Sequence, residues 1–240
     1  MTESRYDIDI TMSDATALAL EQGKYRLYGF KGVQSSTPNG SPVVWLNTDT
    51  YSTETTITWE RHFAAYGSTT AINPGYEVTG RNSKPIKLGE KFTIISDLGI
   101  GEVSTGGQAG LVSLINTRTK QFTVGVSQAQ PGQPAAPLCA VTLHGLNSAT
   151  FIPVERVLLT FATQPFRVGT VIVQMFAPGL LIDMGTEQRR SVTFDVNQGW
   201  AASGNPPWAA NVDSGDLIAP LLMQYSMQLA AQVEEVKILP

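Results

Sequence analysis

Cysteine and histidine are scarce in this sequence. Its 240 residues include one cysteine and two histidines. A single cysteine has no disulfide partner within the chain, and the apolar run around Cys139 predicts that this side chain is buried. The sequence has neither a C-x-x-C pair nor an H-E-x-x-H motif, so we expect no metal site.

Catalytic constellations are also lacking. Nucleophilic hydrolysis needs a serine or cysteine served by a histidine that a carboxylate orients. There is no G-x-S-x-G motif, and on a single strand Cys139 and His144 would point to opposite faces. A glycosidase pair would require the fold to bring together two of the carboxylates of Asp183, Glu187 and Asp195. We therefore expect neither an enzyme nor a cofactor.

Charged side chains are few. They make up 15% of the residues, and the formal net charge at pH 7 is −4. The 16 lysines and arginines are scattered, and only Arg189 and Arg190 are adjacent, so we expect no nucleic-acid partner. Low charge together with 42% hydrophobic residues is typical of a packed globular protein.

Long hydrophobic runs are absent as well. The apolar stretch from Val168 to Leu181 is interrupted by residues such as Gly169 and Pro178, and it falls short of the roughly 20 apolar residues that span a bilayer. We therefore expect no transmembrane segment. The first residues are polar and acidic, which predicts synthesis in the cytoplasm without a signal peptide, although a removed leader would leave the same sequence.

Short runs rich in Val, Ile, Thr, Phe and Tyr fill most of the chain, separated by Gly, Pro, Asn and Ser. This pattern predicts a mainly β protein, an antiparallel β-sandwich that is either one large or two small units. The candidate strands are Tyr25–Gln34, Pro42–Asn47, Thr55–Trp59, Gly75–Thr79, Glu90–Ile95, Leu111–Asn116, Gln121–Ser127, Leu138–His144, Val154–Phe161, Val168–Met175 and Ser191–Val196.

Two segments have helical patterns. Ser13–Gln22 begins with a residue that caps helix N-termini and is followed by Gly23, which suits a helix end. From Asp216 to Val236, apolar residues recur every three or four positions, which predicts a C-terminal helix. That helix would either pack on the sheets or mediate oligomerisation.

The segment 128–137 contains three prolines and almost no core-forming side chain. It predicts a linker or a long loop between strands, dividing the chain into an N-terminal β-unit (1–127) and a C-terminal β-unit with the terminal helix (138–240). A weak internal similarity at a separation of 80 residues, such as Val112–Leu114 against Val192–Phe194, has two explanations. One is duplication of a β-unit, and the other is chance matching of strand-like sequence.

Two tryptophans close together give the clearest functional signal. Trp200 and Trp208 lie in a segment whose glycines and prolines exclude a regular strand or helix. An indole can stack on a sugar or lie at a lipid surface, and Asn197, Gln198 and Asn205 could orient hydroxyl groups. These five residues are the predicted ligand-binding site. The alternative is that both indoles cover the end of the core.

A β-rich scaffold with tryptophan-bearing loops and few reactive groups favours a non-enzymatic recognition protein, lectin-like or surface-binding, with a glycan or a lipid surface as its partner. One alternative is a self-assembling structural protein, a homo-oligomer held together by polar faces. Another is an oligomerising toxin that acts on membranes.

Overall fold

The computed structural model describes residues 4–80 and 82–231, which form a mainly β fold with three sheets. The helices include α1 (Asp14–Gln22) and α2 (Ala219–Leu222), and residues 227–231 are also helical. The strands are β1 (Arg5–Thr11), β2 (Arg26–Ser35), β3 (Ser41–Pro42), β4 (Leu46–Thr48), β5 (Glu54–Glu60), β6 (Phe63–Ser68), β7 (Lys84–Ile86), β8 (Lys91–Ile94), β9 (Gly101–Ser104), β10 (Val112–Asn116), β11 (Phe122–Gln128), β12 (Ala136–Pro137), β13 (Cys139–Leu143), β14 (Ser148–Ala162), β15 (Gly179–Asp183), β16 (Arg189–Asp195), β17 (Gly199–Ala201), β18 (Ala209–Val212) and β19 (Met223–Tyr225).

The sheets contain four, nine and six strands. The four-stranded sheet has the order β17-β16-β1-β5. The nine-stranded sheet follows β18-β15-β14-β10-β8-β9, and β2 joins it by pairing with β14, β4 and β19. The six-stranded sheet has the order β3-β13-β11-β6-β7, with β12 paired to β11.

Strand direction corrects the prediction of a purely antiparallel protein. Most pairs are antiparallel, but β1 with β16, β10 with β8, and β19 with β2 are parallel. A parallel pair needs a crossover connection, because a short hairpin can join only antiparallel strands. The tertiary fold decides which strands become neighbours and in which direction, and local sequence patterns do not report it.

Nine of the predicted strands overlap strands of the structure, but two do not. Gly75–Thr79 and Val168–Met175 contain only isolated bridges, such as Glu77 with Thr170. The backbones of these two segments form single β-bridges with each other and with other residues, but the bridges do not extend into continuous strands. Conversely, β1 and β6 were among the strands that were not predicted. The aspartates of β1 are typical of a polar chain terminus, although the strand buries Tyr6, Ile8 and Ile10.

The first predicted helix is confirmed, and the C-terminal helix is present but interrupted. In α1 the Ser13 hydroxyl accepts a hydrogen bond from Thr16 N, and Gly23 is the C-cap. Within the predicted C-terminal span, the four-residue α2 is followed at once by β19, which pairs with β2, and residues 227–231 are helical again. At Val33–Ser35, β14 pairs with one edge of β2 and leaves the other edge free. The backbone of β19 pairs with that free edge and supplies its hydrogen bonds. Residues 232–236 of that prediction lie outside the described residues.

The proline-rich segment 128–137 connects two strands of one sheet, because β11 and β13 are direct neighbours. Its end, β12, folds back to pair with β11. Strands from both sides of the segment are paired in all three sheets, for example β1 with β16 and β2 with β14. The segment therefore does not separate the sheets.

The length and polarity of the helices decide whether any of them could span a bilayer. In the described parts of the chain, no helix is both long enough and apolar enough to cross a membrane.

Candidate functional site

The structure corrects the predicted site first at Trp200. This indole is buried, with 5% of its surface exposed, and it stacks on Phe161 at a centroid distance of 5.4 Å and an interplanar angle of 13°. Its position on β17 places it opposite Phe194, whose ring centroid is 4.9 Å away. Trp200 therefore packs the core and offers no face to a ligand.

Trp208 is half-buried, and the guanidinium of Arg190 lies 4.6 Å from the centroid of its ring. Asn205 is exposed in the turn before it, with a left-handed φ of 46°. Asn197 and Gln198 are exposed at the other end of β16, in the turn to β17.

The structure does not bring these predicted residues together. Arg190, which contacts Trp208, lies five residues before Asp195, whose carboxylate accepts hydrogen bonds from the backbone N–H groups of Asn197 and Gln198. At about 3.3 Å per residue, this stretch of strand spans roughly 17 Å. The two amide side chains are therefore too far from Trp208 to orient a ligand stacked on it.

A better-formed site lies beside the proline-rich segment. A cavity of about 530 Å³ is bounded by residues 128–137, by the start of β4 and by residues 77–80. This volume falls within the usual range for small-molecule sites. Its polar and aromatic lining includes Trp45, Asn47, Glu77, Gln128 and Gln130.

Gln128 is the central polar group of this cavity. Its side chain is fully buried, and its Nε2 donates a hydrogen bond of 2.6 Å to the backbone oxygen of Glu60. Because a carbonyl only accepts, this bond fixes the orientation of the amide. Within the described residues, Gln128 Oε1 has no hydrogen-bond partner. A buried acceptor costs about 1–3 kcal/mol unless a water molecule or another donor bonds to it.

Gln130 adds a second unpaired group. Its Nε2 is buried and, among the residues that the structure describes, makes no hydrogen bond. Gln128 therefore provides an acceptor and Gln130 provides a donor in the same cavity. Glu77, which is exposed, is the only charged residue among the described residues of the lining. The interior of the site is neutral and polar.

Trp45 lies at the base of the cavity, where it is held rigidly and is itself buried, with 1% of its surface exposed. Its Nε1 donates to the backbone oxygen of Gln128 at 3.2 Å, which links it to the polar group of the cavity. Its ring meets the edge of Trp59 at a centroid distance of 5.9 Å and an angle of 86°. Both contacts orient the indole without a ligand, so the wall is preformed.

Behind this wall lies a buried ionic cluster. Lys31 Nζ lies 4.1 Å from the centroid of the Trp59 ring and donates to Glu155 Oε2 at 2.9 Å. Trp59 Nε1 donates to the same oxygen at 2.8 Å, and Arg61 Nε donates to Oε1 at 3.0 Å. Glu155 lies where the β2–β14 register shifts, between Val154 and Val157, and such bulges redirect side chains.

The cluster changes the pKa values of its members. Burial lowers the pKa of Lys31 to about 8, and the ion pair with Glu155 opposes this effect. Burial acts to raise the pKa of Glu155, but the charge of Lys31 and the hydrogen bonds from Lys31, Trp59 and Arg61 together hold it below its ordinary value. The cluster is closed, so we assign it the role of supporting the tryptophans.

Burial raises the pKa of the Cys139 thiol to about 12, which keeps it protonated near neutral pH, and the prediction that this side chain is buried is confirmed. Within residues 4–80 and 82–231, no three side chains of His, Cys, Asp or Glu are grouped as a metal ion would need.

The chain matches no protein-family model, and no curated protein or solved structure is similar to it. The functional argument therefore rests on the geometry of the cavity.

Sequence reasoning missed this site. Gln128 and Gln130 stand in the segment that was predicted to be a linker or loop, and Trp45 was assigned to packing. The one local signal is the Q-x-Q pattern where β11 runs into the proline-rich segment. That pattern does not reveal which side chains lack partners, because partners such as Glu60 come from distant strands.

Proposed function

We propose that this protein is a non-enzymatic recognition protein, lectin-like in its chemistry, that binds a neutral polyhydroxylated ligand in the cavity beside residues 128–137. The observation that carries the proposal is the cavity of about 530 Å³ whose lining includes Gln128 and Gln130, each with an amide atom that has no partner among the described residues. A ligand hydroxyl would bond to Gln130 after a rotation of this partly exposed side chain.

The charge of the lining supports a neutral ligand. An anionic ligand would need a cation in the site, and among the described residues of the cavity lining there is no lysine or arginine. The two unpaired groups favour a ligand that both donates and accepts hydrogen bonds. A sugar hydroxyl does both, and the cavity volume of about 530 Å³ suits a ligand of a few rings or fewer.

We also infer that the sheets pack face to face as a β-sandwich. One hydrophobic cluster contains Ile8 from the four-stranded sheet, Leu159 from the nine-stranded sheet and Val124 from the six-stranded sheet. A shared core of this kind supports layered sheets. The self-assembling and toxin alternatives stay predictions from the sequence.

The test begins with a glycan array that identifies a ligand, followed by calorimetric titration of two variants. Gln130→Met keeps the length of the side chain and breaks no hydrogen bond of its Nε2. We expect it to lower affinity at least tenfold while leaving the free energy of unfolding unchanged or raising it, because an unpaired buried amide is removed.

Gln198→Met is the matched control, because Gln198 is exposed in the turn that belonged to the site predicted from the sequence. It should bind like the wild type. Loss of binding in Gln198→Met with normal binding in Gln130→Met would place recognition at the Trp208 loop and contradict the cavity proposal. An array with no binder would contradict recognition of carbohydrate.

A further inference from the structure

Three turns meet at one end of the fold, and we call them the turn platform: residues 95–100, 117–121 and 144–147. Buried Asn116 joins two of these turns. Its Nδ2 donates to the backbone oxygens of Lys120 at 2.8 Å and His144 at 3.0 Å, and its Oδ1 accepts from Arg118 N at 3.0 Å. Its own backbone N–H donates to Asn147 O at 2.9 Å.

The third turn is attached by side chains of the second. Thr117 Oγ1 donates to Ile94 O at 2.7 Å, and Arg118 Nε donates to Asp97 Oδ1 at 2.8 Å. Within the turn 95–100, Ser96 Oγ accepts from the backbone N–H groups of Leu98 and Ile100. The platform is therefore braced by hydrogen bonds on every turn.

This braced framework displays apolar side chains to solvent. The exposed fraction is 68% for Leu98 and 67% for Leu146, and Ile95 and Ile100 are also exposed. Leu146 N donates to Arg118 O at 2.9 Å, while the Arg118 side chain holds Asp97, the residue next to Leu98. The two leucines thus flank Arg118. Clustered exposed apolar side chains mark interaction surfaces, whereas single ones do not.

Leu146 is unfavourable for folding alone. Its φ is 56°, in the left-handed region, where glycine or asparagine would be less strained. Its side chain is two-thirds exposed and so gains little from packing. Neither its backbone conformation nor packing against the described residues accounts for a leucine at this position.

The charge of the platform favours an anionic partner. Its turns carry the cations Arg118 and Lys120 and one acid, Asp97, which is paired with Arg118. The nearest acid beyond them along the chain is Glu102, on β9. The platform is thus net positive on a protein whose formal net charge is −4. Exposed apolar side chains beside cations suit an anionic lipid surface. A second copy of the chain is disfavoured because its platform would bring the same cations against these ones.

We propose that the turn platform docks on a bilayer that contains anionic phospholipid. Leu98 and Leu146 enter the boundary between headgroups and acyl chains, and Lys120 and Arg118 lie at the level of the lipid phosphates. This surface is separate from the cavity at residues 128–130, so the two proposals can fail independently.

The experiment is co-sedimentation of the full chain with vesicles of phosphatidylcholine alone or mixed with phosphatidylserine. We expect binding to the mixed vesicles, weaker binding to phosphatidylcholine alone, and weaker binding at high salt. Leu98→Ser and Leu146→Asn should each lower vesicle affinity at least about tenfold, because each removes a buried aliphatic side chain from the lipid contact. Leu146→Asn should fold at least as well as the wild type, since asparagine tolerates the left-handed conformation.

Leu18→Ser is the matched control, because Leu18 is 53% exposed on α1, outside the platform. It should bind vesicles like the wild type. Any of three results would overturn the proposal: no binding of the wild type to mixed vesicles, equal binding by the platform variants, or a wild-type dimer that Leu98→Ser converts to a monomer in sedimentation analysis. The last result would assign the surface to a second copy.

Discussion

Lys31 and Glu155 form an ion pair inside the protein, with Nζ and Oε2 separated by 2.9 Å and both side chains almost without solvent exposure. The two residues are 124 positions apart in the chain. A buried charge is tolerated only when it is paired and hydrogen-bonded. Around this ion pair, the indoles of Trp45 and Trp59 lie beside Lys31, and Trp59 and the Arg61 guanidinium donate hydrogen bonds to Glu155.

Removing one partner of this pair should destabilise the protein strongly. For Lys31→Met and Glu155→Gln we expect a loss of about 3–5 kcal/mol in the free energy of unfolding, because each leaves a buried charge or donor without its partner. Urea denaturation followed by tryptophan fluorescence measures the loss. The control is Arg5→Met, which removes an exposed ion pair with Asp7 and should cost less than about 1 kcal/mol. Equal losses for the two classes of variant would contradict a closed cluster.

Stability should depend on pH through Lys31. The pKa of this lysine is about 8 in the folded protein, below its ordinary value of 10.5, so between these values the unfolded chain binds more protons than the folded one. The free energy of unfolding therefore rises with pH in this window, and the contribution is lost as pH falls through about 8. Denaturant titrations of the wild type and Lys31→Met should differ in slope there, and parallel curves would show that the pKa is not lowered.

Alanine substitution should separate the two tryptophans. Trp200→Ala removes a buried ring stacked on Phe161, and we expect it to cost about 3–5 kcal/mol through the cavity that it leaves. Trp208→Ala removes a half-buried ring that packs against the margin of the core and contacts Arg190, and it should cost less, about 1–2 kcal/mol. Chemical denaturation of both variants gives the comparison. Similar losses at the two positions would contradict the difference in their burial.

The extent to which sequence predicts this structure differs from element to element. The ends of α1 follow from Ser13 and Gly23, because capping depends on groups within three or four residues. The alternation of β5 predicts that Ile57 and Trp59 are buried, and they are. The predicted C-terminal helix is interrupted because β19 meets a free edge of β2, and that edge exists only after β2 and β14 have paired.

The sequence by itself determined the mainly β character, the first helix and the burial of Cys139, since each depends on local patterns of size, polarity and backbone preference. Only the tertiary structure decided that Trp200 is packed while Trp45 lines a cavity, that Lys31 meets Glu155, and that Gln128 keeps an unpaired oxygen. The physical reason is that hydrogen-bond satisfaction and ion pairing depend on groups contributed by strands far apart in the chain. The type of each residue determines the chemistry of its side chain, whereas the fold determines which groups that side chain contacts.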